Sequence, residues 1–156
     1  MIYAKMALII ENIRLLISAI IDGSDIFLVD VVLRGERSSK VIEVYIDTDK
    51  GISLEECSRI SRELSVKLDE TDIMTGRYRL DVSSPGLDRP LILRRQYEKN
   101  IGRMCRVTAE QRSEKITHEG ILDTVSEESI QLQKKGIRTE IAFAAIKETF
   151  IIPQIT

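Results

Sequence analysis

The stretch Asp81-Val-Ser-Ser-Pro-Gly-Leu-Asp-Arg-Pro-Leu91 holds two of the chain's three prolines, a glycine and three charges, directly behind an alternating strand pattern. Pro85 fixes its own φ and drives Ser84 toward an extended conformation, Gly86 admits a positive φ, and Pro90 holds Arg89 extended. A Pro-Gly pair is also the usual chemistry of a type II turn. So restricted a backbone specifies one path between two bodies, where a Gly/Ser tether specifies none. The plainer reading is a turn that closes a strand.

The residues before this segment read as an α+β layer. Ile2, Met6, Ile9, Ile10, Ile13, Leu16, Ile17, Ile20 and Ile21 follow the i, i+3, i+4 spacing of a helix with one broad buried face, which Asp22-Gly23 stops. Ile26–Leu33 and Val41–Asp47 are β-rich runs joined by Arg34-Gly-Glu-Arg-Ser-Ser-Lys40, a hairpin with a long polar tip. In the second run Ile42, Val44 and Ile46 share one face, and Val41, Glu43, Tyr45 and Asp47 the other, as in a sheet with one solvated side. Ser53 with Glu56 has capping-box spacing and opens a helix to about Leu68, with Leu54, Cys57, Ile60, Ser61, Leu64 and Leu68 inward. Tyr78–Ser83 alternates as a third strand. Helix, strand, strand, helix, strand is a sandwich with helices on one sheet face.

Beyond the connector the texture changes. A short helix is expected around Arg94–Asn100, then β-like runs at Met104–Ala109, Gly120–Val125, Ile130–Gln133, Ile137–Phe143 and Thr149–Ile152, separated by polar turns such as Lys134-Lys-Gly136. Such short strands suggest a small barrel. The boundaries expected are residues 1–84 for the first domain, 85–91 for an ordered connector and 92–156 for the second.

Charge is uneven across that boundary. Residues 1–90 hold 12 Lys/Arg against 16 Asp/Glu, net −4, and residues 91–156 hold 11 against 9, net +2, which sum to the chain's 23 and 25. An acidic first half argues against a stand-alone phosphate binder and suits a basic protein partner. Cys57 and Cys105 are the only cysteines and lie far apart, which excludes a disulfide framework or a Cys-rich zinc site and marks both as small buried hydrophobes in a reducing compartment. The run Met6–Ile21 is broken by Glu11, Asn12 and Arg14 and has no small-residue cleavage site, so a soluble, cytoplasmic protein is expected.

Catalytic chemistry finds no workable spacing. Asp47-Thr-Asp-Lys-Gly51 looks briefly like a calcium loop, but glycine falls fifth rather than sixth and Ser58, not glutamate, stands twelfth. Asp30, Asp47 and Asp49 therefore read as a strand end and a turn, and as candidate acids for docking a protein. His118, the only histidine, is expected in an exposed turn. No nucleophile elbow surrounds Ser83 or Ser84, whose hydroxyls suit the connector's backbone groups, and no phosphate-binding glycine loop occurs. No metal, cofactor or enzymatic activity is expected.

Arg94, Arg95, Arg103, Arg106, Lys134, Lys135 and Arg138 are candidate phosphate contacts if a barrel gathers them on one face, and solubilising charges if it does not. The seven Phe and Tyr residues form no stacking platform, which argues against independent RNA specificity. Asp88 and Arg89, between two fixed turns, are open either to pinning one domain on the other or to meeting a partner.

Val44-Tyr-Ile-Asp-Thr-Asp-Lys-Gly-Ile52, Cys57, Leu64, Leu68-Asp69 and above all Val82-Ser-Ser-Pro-Gly-Leu-Asp-Arg-Pro-Leu91 resemble the bacterial ribosome maturation factor family called RimP. These positions span the middle third of the chain. Asp81 departs conservatively from the family's glutamate. The resemblance implies a noncatalytic assembly factor for the small (30S) ribosomal subunit, with an α/β first domain and an SH3-like or Sm-like barrel second. It points to the twelfth small-subunit protein and nearby rRNA as partners, and makes Ser83, Ser84, Pro85, Gly86, Leu87, Asp88, Arg89 and Pro90 the candidate contact segment. A monomer is expected, with no membrane association. The alternative is an Sm-like RNA-binding module scaffolded by its first domain; a metal-dependent hydrolase is more distant.

Overall fold

Isoleucine recurs every fourth residue at Ile9, Ile13, Ile17 and Ile21, and that row is the buried seam of α1 (Ile2–Ile21). The computed structural model describes residues 2–35 and 39–154, in two compact units, Met1–Pro85 and Gly86–Thr156. α1 stops at Gly23, φ +77°, where the Ser24 amide (3.0 Å) and hydroxyl (2.6 Å) both donate to the Ile21 carbonyl, satisfying an end-of-helix acceptor.

β1 (Phe27–Arg34) and β2 (Lys40–Asp47) pair antiparallel, with a register shift between Leu28 and Asp30. Residues 36–38 of the expected polar tip lie outside the described residues. α2 (Leu54–Thr71) then crosses to β3 (Tyr78–Ser83), which pairs parallel to β2, so the sheet order is β1-β2-β3. A parallel neighbour needs such a crossover, and α2 supplies it. Ile42, Val44 and Ile46 are fully buried within one core with α1 and α2.

Ser53 caps α2, its hydroxyl accepting from the Glu56 amide at 3.1 Å. Cys57, Ile60, Leu64 and Leu68 face the core as expected, but Leu54 is 87% exposed. At about 100° per residue Leu54 lies about 75° from the centre of that stripe, which takes it off the buried face.

The second unit holds α3 (Arg94–Lys99), β4 (Met104–Gln111), β5 (Glu114–Val125), β6 (Ser129–Lys134), β7 (Ile137–Ala142), a 3-10 turn (Phe143–Ala145) and β8 (Ile146–Ile151). Five antiparallel strands form one sheet in the order β7-β6-β5-β4-β8. Its core gathers Tyr97, Cys105, Val107, Leu122, Ile130 and Ile141. Among the described residues no ladder joins β7 to β8, so the architecture established is a five-stranded sheet rather than a closed barrel.

Two expectations are corrected. β5 begins at Glu114, not Gly120, and His118 sits half-buried in it opposite Val107 instead of in a turn. β8 begins at Ile146, not Thr149. The first error has a clear cause. The β4–β5 loop is Arg112-Ser113, with φ +53° and +67°, a two-residue primed turn built without glycine or asparagine. The β6–β7 turn does carry its glycine: Lys135 and Gly136 stand at φ +51° and +80°.

Candidate binding surfaces

The connector leaves β3 at Ser83 and turns at Gly86, where φ is +64° and a Cβ would meet nothing within 4 Å. The glycine is needed for its backbone angle and not to make room. Ser83 and Ser84 are exposed and, among the described residues, their hydroxyls make no hydrogen bond, so the expected backbone caps are not formed. Leu87 is 44% exposed and Asp88 is exposed, while Arg89 and Pro90 are half-buried.

The far end of the connector is held by polar groups that the sequence did not single out. The Leu91 amide donates to the Thr149 carbonyl at 2.8 Å. The Ile92 and Leu93 amides both donate to Gln96 Oε1 at 2.8 Å, so one side-chain oxygen satisfies two donors at the start of α3. Gln96 is itself buried, and its carbonyl accepts from Asn100 Nδ2 at 2.7 Å. Tyr97 packs edge-on against Phe143, with centroids 5.1 Å apart, and burial pushes its phenol pKa up. A polar pair at 96 and 100 four residues apart in a short amphipathic helix was the available signal, since buried amides at that spacing need partners.

Asp30 Oδ1 accepts from Arg14 Nη2 at 3.3 Å and from the Val31 amide at 2.9 Å. Asp47 is buried and caps the Thr48 amide at 2.9 Å. That turn closes with Gly51 N donating to Thr48 O at 3.1 Å and Thr48 Oγ1 donating to Gly51 O at 2.6 Å. Asp49 is exposed at its tip. Among the described residues no group of three metal-ligating side chains comes together.

The basic residues divide. Arg94 donates to the Ser126 carbonyl at 3.0 Å and pairs with Glu98, Arg106 pairs with Glu119 across β4–β5 at 2.9 Å, and Arg138 pairs with Asp123 at 3.4 Å. Arg95 is exposed on α3. Arg103, Lys134 and Lys135 are exposed and make no ion pair or side-chain hydrogen bond among the described residues. Lys134 and Lys135 border a cleft of about 360 Å³ with Thr117, His118, Glu119 and Thr139, whereas Arg103 lines a different depression with Met104 and Ile121. Exposed pairs of this kind contribute little stability but cancel local field, which leaves Lys134 and Lys135 at one place and Arg103 at another in place of a broad basic face.

No helix among the described residues is long and apolar enough to cross a membrane. Residues 16–88 match the family model described as the RimP N-terminal domain. The matched span starts inside α1, takes in the whole three-stranded sheet with α2, and ends at Asp88 in the connector.

Proposed function

The chain belongs to the RimP family through its N-terminal domain, and from that premise we propose that it is a noncatalytic assembly factor for the small (30S) ribosomal subunit. It docks on a ribosomal protein, the twelfth of the small subunit, and on adjacent rRNA in the cytoplasm, and needs no metal or cofactor. The observation that carries the reading is the match over residues 16–88, which reaches into the connector as far as Asp88 and covers most of the folded unit before it. The net charge of −4 over residues 1–90 supports a basic protein as the first partner, because complementary potentials speed and orient encounter. The second unit's short antiparallel strands and its 3-10 turn before the last of them suit an SH3-like module.

One observation favours the second reading, an Sm-like RNA-binding module. Lys134 and Lys135 project from a tight turn without acidic partners, as phosphate contacts do. Two such lysines add a salt-dependent term and no base selectivity. A titration of the full chain against the isolated ribosomal protein and against naked rRNA separates the readings. Binding to the protein that survives moderate salt is expected; binding to RNA alone, with a steep salt slope, removes the protein-docking reading. Purified protein is also expected to carry no stoichiometric divalent ion and to hydrolyse no nucleotide, and one bound ion per chain in elemental analysis overturns that part.

A further inference from the structure

Exposed sheet edges invite pairing, and folded proteins blunt them with bulges, prolines or covering segments. In this chain β1 carries a register shift between Leu28 and Asp30, and the β8 edge receives the Leu91 amide at Thr149 O. β3 has no such device. It pairs with β2 alone among the described residues, in a ladder without a register shift from Lys40↔Tyr78 to Tyr45↔Ser83, and Tyr78–Ser83 contains no proline. Its one charge pair, Arg79 with Asp81 at 3.1 Å, lies within the strand and cancels itself.

Beside β3 runs an open groove of about 610 Å³, lined by Ser61, Ser65 and Asp69 of α2 and by Arg77, Tyr78, Arg79 and Leu80. The α2 residues are spaced four apart and so stand in one row along the helix surface, inclined about 26° to its axis. Tyr78 OH donates to Asp69 Oδ1 at 2.9 Å, leaving the carboxylate's other oxygen able to accept. At about 3.3 Å per residue, six residues of β3 offer about 20 Å of edge, enough for a strand of equal length.

We infer that the free edge of β3 takes an extended segment of a basic protein as a fourth strand of this sheet. Main-chain hydrogen bonds to β3 supply affinity, and on the groove side the open oxygen of the Asp69 carboxylate offers an acceptor to one Lys or Arg of the added strand, Arg79 being paired with Asp81. The net −4 of residues 1–90 favours the same sign of partner. Arg77, exposed at the start of β3, has donors for the added strand's carbonyls. The inference rests on the proposal that this unit docks a basic small-subunit protein, and it names the surface and the mode.

The test is amide hydrogen exchange on the full chain, alone and saturated with the isolated twelfth small-subunit protein. Exchange within Tyr78–Ser83 should slow about tenfold or more on binding, and Ser61→Arg and Ser65→Arg should each weaken binding about tenfold without lowering the melting temperature. If one variant unfolds, the other and the wild-type exchange still decide. Intact binding with unprotected β3 amides and unaffected arginine variants overturns strand addition while leaving protein docking in place. No binding to the ribosomal protein removes both. Slowing in the absence of partner that grows with chain concentration assigns the edge to pairing between copies and also overturns the inference.

Discussion

The Tyr97 hydroxyl donates to Thr149 Oγ1 at 2.8 Å across 52 positions of sequence, and Thr149 is fully buried. The same Thr149 accepts the Leu91 amide through its carbonyl. One residue of β8 thus ties α3 by its side chain and the end of the connector by its backbone.

Tyr97→Phe keeps the ring packed on Phe143 but leaves a buried hydroxyl without its donor, which costs about 1–3 kcal/mol. The loss should fall on the second unit alone. Urea unfolding followed by resonances of each unit should move the Gly86–Thr156 transition and leave that of Met1–Pro85 unchanged; equal shifts in both would contradict the assignment.

Gly86 tests shape without packing. Since a Cβ there meets no atom, Gly86→Ala should cost about 1–2 kcal/mol from the left-handed backbone alone, Gly86→Val more, and Gly86→Asn less. Pro85→Ala and Pro90→Ala should loosen the segment with little change to either unit's stability, yet weaken association with precursor particles through the added ordering cost. Residual dipolar couplings in wild type and the double proline variant, read beside particle binding, check this. Unchanged values of both would leave the motif an ordinary turn.

The Arg112-Ser113 turn carries avoidable strain. Replacing it by Asn-Gly, the pair suited to two positive φ values, should stabilise the second unit by about 1–2 kcal/mol. A rise in its melting temperature, with β4–β5 cross-strand contacts retained, is the expected result; a fall would mean that the arginine or serine side chain holds the turn.

Cys105 is fully buried, and burial pushes its thiol pKa from 9.0 up to about 11. The native state therefore holds the proton more tightly than the unfolded chain. Stability from this group is complete below about pH 9 and is lost as pH climbs toward about 11. Tyr97, raised in the same direction by burial, adds to the loss at the upper end. The urea midpoint of the second unit should hold steady from pH 7 to 8.5 and drop by pH 10.5, with a flatter drop in Cys105→Ala. At neutral pH neither cysteine should react with a thiol reagent before unfolding.

Periodic burial was legible because it is local. α1 over residues 2–21, the inward face Ile42, Val44 and Ile46, and β3 at Tyr78–Ser83 all follow from the repeat of apolar side chains along a helix or strand. The four-residue offset that stabilises Arg59–Glu63 is of the same kind. β5 was cut short because its preceding turn uses residues with no preference for positive φ, so the punctuation that marks a hairpin was absent.

The candidate surfaces were legible only in part. Gly86 and the prolines announce their backbone angles in their own covalent structure, and the expected positive φ at Gly86 is there. Which charges remain uncompensated is a different matter. Arg94, Arg106 and Arg138 find partners on neighbouring strands or turns while Lys134 and Lys135 do not, and cross-strand register decides this. What the sequence by itself determined, then, were the helices, most of the strands and the positive φ at Gly86, all consequences of short-range sterics and periodicity. Tertiary structure alone decided that β3 stands at a sheet edge, that Gln96 and Thr149 anchor the connector's end, and how far the basic residues are neutralised, because each depends on contacts between residues far apart in the chain.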